Sequence, residues 1–172
     1  MISDIIKGRL RALSSDNPVD VQLEAIRAIA EDDTFDPTFL LPYHLSVDHD
    51  TFNQDLFLQD CLLGDRMSNA SIILVKWGSP RIDAIIPGLF RWLQDLNWPG
   101  ASEVLVLLYD LSEEKTAIPL QDAIAEAKRT NDVEWLEYLE YFASRVEHEQ
   151  EDRRALEKHR KLIMESFGGI YP

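Results

Sequence analysis

Apolar residues return along most of this chain at the three- and four-residue spacing of an amphipathic α-helix. Ile2, Ile5, Ile6, Leu10 and Leu13 line one face of a helix over residues 2–13. Ser14-Ser15-Asp16-Asn17 reads as a turn, and Pro18 opens a second helix carrying Val21, Ala25, Ile26 and Ile29. A proline in the first helical turn sacrifices no hydrogen bond, because that N–H has no partner there. Residues 31–50 are less regular, with Pro37 and Pro42 bracketing a single helical turn at Phe39-Leu40-Leu41. Helical spacing resumes over 52–63 through Phe52, Leu56, Phe57 and Leu62. Ser68 is placed to cap a helix ending at Trp77. The run Ile72-Ile73-Leu74-Val75 also fits a buried strand; so short a run does not decide between the two, and its helical neighbours favour helix.

Downstream, Ile82, Ile85, Ile86, Leu89, Phe90 and Leu93 predict a helix over 80–95, kinked or divided at Pro87. A partner helix over 98–111 is nearly apolar all round and should be the most buried. A further helix starts at Ser112-Glu113-Glu114, is interrupted at Pro119 and ends near Arg129. Asn131-Asp132 caps the next, which carries Trp135, Leu136, Leu139 and Phe142 to about Val146. Residues 148–167 form a charged helix stopped by Gly168-Gly169. No strand-like alternation recurs, so the expected fold class is all-α.

The first helix and turn recur. Ile5-Ile6-Lys7-Gly8-Arg9-Leu10-Arg11-Ala12-Leu13 and Asn17 find counterparts in Ile85-Ile86-Pro87-Gly88-Leu89-Phe90-Arg91-Trp92-Leu93 and Asn97, eighty positions on. Both stretches read as a helix, a short polar turn and a second helix opening on proline, the pattern of a helical-hairpin repeat. The expected architecture is an α-α superhelix of stacked antiparallel hairpins. It forms one domain, with N-terminal hairpins over 1–66, core hairpins over 67–147 and a charged C-terminal helix and tail over 148–172. The segment Ser14-Ser15-Asp16-Asn17-Pro18, followed by a face with Ala25 near its middle, resembles HEAT repeats. The string Trp92-Leu93-Gln94-Asp95-Leu96-Asn97-Trp98-Pro99-Gly100-Ala101 resembles the hallmark of a family of small bacterial HEAT-like proteins, over about residues 70–142. That resemblance implies a HEAT/armadillo-like superhelix, a protein-binding role and an association with toxin–immunity systems. It defines no catalytic residue. The string also has a physical reading: Asn97 as an N-cap, Pro99 as the first helical residue, Gly100 and Ala101 as small residues permitting close helix contact, and Asp95 near a helix N-terminus.

Charge narrows the function. The net charge is −14, and it is uneven. Residues 16–60 hold eleven carboxylates against Arg27, and residues 103–152 hold fourteen against four basic residues. Nucleic acid and anionic membranes both require basic surfaces, so neither is an expected partner. A basic protein is the natural complement. The lone cysteine, Cys61, excludes an internal disulfide and suits the reducing cytoplasm. The N-terminal stretch is broken by Asp4, Lys7 and Arg9 and carries no secretory apolar region, and no apolar run is long enough to span a bilayer.

The candidate partner-binding residues are Trp92, Asp95, Asn97 and Trp98 of the hallmark string, together with Glu134, Glu137, Tyr138, Glu140 and Tyr141. The first group offers a tryptophan pair of the kind enriched at binding hot spots. The second alternates carboxylates and phenols along one helix. The expectation is a non-catalytic interaction module, of immunity or antitoxin type, needing no metal or cofactor. The rival reading is a metal-dependent hydrolase using His44, Asp48, His49 and Asp50, since imidazole and carboxylate suit zinc, iron or manganese. His49-Asp50 resembles the dipeptide of metal-dependent phosphohydrolases, but no histidine precedes His44 to complete their set. His148 and His159 complete no ligand spacing. A third reading is a scaffold that self-associates through the Phe39–Phe57 region.

Overall fold

The computed structural model describes residues 3–42 and 63–147, together with Lys158 and Lys161. Among the described residues the regular elements are all helical: α1 (Asp4–Ala12), α2 (Val19–Ala30), α3 (Leu63–Trp77), α4 (Ile86–Trp92), α5 (Ala101–Asp110), α6 (Glu113–Thr130) and α7 (Val133–Glu147). Short 3₁₀ turns lie at Pro37–Leu40 and Asp83–Ile85.

Local chemistry sets the ends of the elements. The Ser3 hydroxyl accepts from Ile6 N–H at the start of α1, and Arg9 and Arg11 sit in its last turn, where the helix dipole favours cations. The Asn17 amide donates to the Arg11 carbonyl at 2.9 Å, tying the turn to the end of α1. The expected single turn near Pro37 forms, with Asp36 accepting from Thr38 N–H at 2.9 Å. Asn131 and Asp132 divide the work between them. Asn131 ends α6 in the left-handed region (φ 57°), and the Asp132 carboxylate accepts from Trp135 N–H at the start of α7.

The helical reading of Ile72 to Val75 holds: all four are buried within α3, which packs against α2 and α5. Three expectations change. Ser68 lies inside α3 rather than capping it, since the helix already runs from Leu63. The helix expected over 80–95 does not begin until Ile86; Pro87, lacking an N–H, sits in the first turn of α4 instead of kinking a longer helix. α6 passes through Pro119 without interruption, as it is held between α4 and α7.

The most extensive helix contacts follow the order α1, α2, α3, α5, α4, α6 and α7, and α7 also reaches back to α4 and α5. One continuous core results, with Ile73, Leu74, Leu89, Phe90, Trp92, Trp135 and Phe142 almost wholly enclosed. Each buried indole finds an acceptor: Trp135 Nε1 donates to the Phe90 carbonyl at 3.0 Å, and Trp92 Nε1 to the Pro99 carbonyl at 3.2 Å. An unpaired N–H there would be costly. Phe142 meets Phe90 edge-on at 5.3 Å and stacks on Tyr109 at 4.5 Å, which locks α7 over α4 and α5.

The N-terminal hairpin is joined to α3 and the turn after it by donors aimed at backbone carbonyls. Asn69 Nδ2 donates to the Leu13 carbonyl at 2.7 Å, and Trp77 Nε1 to the Ala30 carbonyl at 3.0 Å. Arg81 lies 3.7 Å over the Trp77 ring and donates to the carbonyls of Asp32 and Phe35. The Leu13 and Ala30 carbonyls lie at helix ends and lack intrahelical donors, so Asn69 and Trp77 supply them.

Candidate functional site

α7 is amphipathic. Trp135, Leu139 and Phe142 point into the core, leaving Glu134, Glu137, Glu140 and Tyr141 exposed on the opposite side. Tyr138 lies between the two faces, half-buried, and its hydroxyl donates to Glu134 Oε1 at 2.7 Å. The Tyr138 phenol is raised above its ordinary pKa, first by that hydrogen bond, then by burial, and then by the negative charges of Glu134, Asp95 and Glu137. Asp95 belongs to the turn before α5. Its charge is the only charge from outside α7 that contributes to that rise, and it ranks behind the Glu134 hydrogen bond, burial and the Glu134 charge. Tyr141 is 53% exposed, with the Arg145 guanidinium 5.1 Å over its ring.

The turn has a different geometry from the one its sequence suggests. Asn97 is not the N-cap of α5. The Asp95 carboxylate instead accepts from both the backbone N–H and the side-chain amide of Asn97, at 2.7 and 3.0 Å. This local ring competes with capping, as is common for Asp and Asn. Gly100 takes the N-cap position with φ 81°. A Cβ on Gly100 would stand 2.7 Å from Ser71 Oγ and 2.8 Å from the Met67 carbonyl oxygen, so only glycine lets α5 start this close to α3. Trp92 is fully enclosed, with its indole bonded to Pro99, and cannot contact a partner in this fold. Trp98 is half-buried against the core, so the expected exposed tryptophan pair does not form.

Sequence reasoning missed several charged contacts. Arg91 holds Glu126 through Nε and Nη2 at 3.0 and 2.8 Å, linking α4 to α6. Lys115 joins α6 to the turn before α4 through Asp83, at 2.5 Å, and the Ser79 hydroxyl. A lysine beside a serine hydroxyl resembles a nucleophile–base pair. Here, however, the Lys115 hydrogen bond holds the Asp83 carboxyl below its ordinary pKa, which marks an ion pair between two elements. Such pairs depend on which helices meet and leave no signature in sequence spacing. Ser71 could have been noticed: with Ala70 it supplies small side chains within an apolar helix, a sign of close backbone approach.

Of the rival metal set, His44, Asp48, His49 and Asp50 all lie outside the described residues, as do Cys61, His148 and His159. Among the described residues no group of three or more His, Cys, Asp or Glu is arranged to hold a metal. Phe39 packs edge-on against Phe35 at 5.8 Å, and the rest of the Phe39–Phe57 span lies outside the described residues from position 43. No described helix is long and apolar enough to cross a membrane.

Comparison with family models matches residues 64–167, about three fifths of the chain, to a domain of unknown function, DUF5071. The matched span begins within α3 and takes in the hallmark turn and α7, leaving α1 and α2 outside it. No curated protein and no solved structure matches.

Proposed function

The chain belongs to the DUF5071 family, and we propose that it is a non-catalytic interaction module that binds a basic protein through the acidic surface of α7 and the adjoining turn. The contacts are Glu134, Glu137 and Glu140, with Asp95, Asn97, Trp98, Tyr138 and Tyr141 around them. One observation supports this reading: Glu134, Glu137 and Glu140 all stand exposed on the solvent side of α7, and Glu134 accepts from the Tyr138 hydroxyl there at 2.7 Å. A surface that concentrates negative charge attracts a positively charged partner and accelerates its encounter. The succession of neighbouring helix pairs supports a HEAT-like superhelix as the scaffold that presents this face. Neutralising a basic toxin in the cytoplasm is the role that best fits the surface, in keeping with the resemblance of the hallmark string.

The test is direct binding. A basic protein recovered at low salt would be purified and titrated against the chain and against the Glu134→Lys/Glu137→Lys/Glu140→Lys variant. All three positions are exposed, so the variant should fold. The expected result is an association that weakens as salt rises and drops at least tenfold in the variant, since charged contacts at an interface act together. Binding that is indifferent to both salt and charge reversal refutes the proposal.

A further inference from the structure

We draw no further inference here: the strongest candidate, the side-chain cluster of Lys115, Asp83 and Ser79 where α6 meets the turn before α4, is accounted for by the ion pair between those two elements already described and points to no ligand.

Discussion

Gly100→Ala tests the close approach of α5 to α3. The backbone at Gly100 has φ 81°, a region that L side chains rarely adopt, and the new Cβ would stand 2.7 Å from Ser71 Oγ, 2.8 Å from the Met67 carbonyl and 2.8 Å from Ser71 Cβ. The left-handed conformation alone costs about 1–2 kcal/mol for alanine. Forcing a methyl into a packed helix contact costs about 1–3 kcal/mol more. Met67 offers a backbone oxygen that cannot rotate away, so relief requires α5 to shift relative to α3. The sum is about 2–5 kcal/mol, a large share of the stability of a domain. Gly78 provides the control. It also has positive φ (57°), but nothing lies within 4 Å of its added Cβ. Gly78→Ala should therefore show the backbone cost alone, about 1–2 kcal/mol. Urea denaturation of both variants, followed by circular dichroism, measures the difference. Melting temperatures should fall by about 2–4 °C per kcal/mol for a chain of this size. If the two variants lose equal stability, the α3–α5 contact is not as tight as described, and the reasoning from close approach fails.

Other predictions concern the helix contacts. Arg81→Ala removes the donors to the Asp32 and Phe35 carbonyls and the stack on Trp77; hydrogen exchange should rise over residues 19–36 with little change in α6 and α7. Trp135→Phe loses a buried hydrogen bond to Phe90 and leaves a void, and should cost about 2 kcal/mol in chemical denaturation; a cost near zero would contradict the enclosed geometry. Asp83 and Asp32 both have carboxyls held below the ordinary aspartate range, Asp83 chiefly by Lys115 and Asp32 chiefly by Thr34 and then Arg9. Near pH 4 the unfolded chain therefore binds more protons than the folded one. The stabilisation from these two groups is complete above their ordinary carboxylate range and is lost as pH falls through their lowered values. Asp83→Asn should make stability fall less steeply between pH 5 and 3, checked by thermal melts across that range; an unchanged slope would refute the Asp83 contribution.

Much of the fold was legible in the order of residues. The period of apolar positions gave α1, α2, α5 and α7 to within a few residues, because a helix on a core must present one apolar face. Asn131-Asp132 marked a helix boundary because few other residues both adopt positive φ and cap. Proline was read less well. Pro87 set where α4 could begin, yet Pro119 did not interrupt α6, since one lost backbone bond is offset when neighbouring helices hold the segment on both sides. The candidate site was half legible. The acidic face of α7 follows from its spacing, whereas the surroundings of Trp92, Trp98 and Asn97 do not.

The sequence by itself determined the helical class, the negative charge and the residues that α7 turns outward, all of which depend on spacing along the chain. Tertiary structure alone decided that Ile72–Val75 is buried on several sides within a helix, that Trp92 is enclosed while Trp98 keeps partial access, and that Asp95 holds Asn97 in the turn instead of leaving it to cap α5. The physical reason is that burial depends on which faces meet across long sequence separations. Those meetings are set by the packing of the whole core, as where Gly100 meets Ser71 and Trp135 bonds to Phe90.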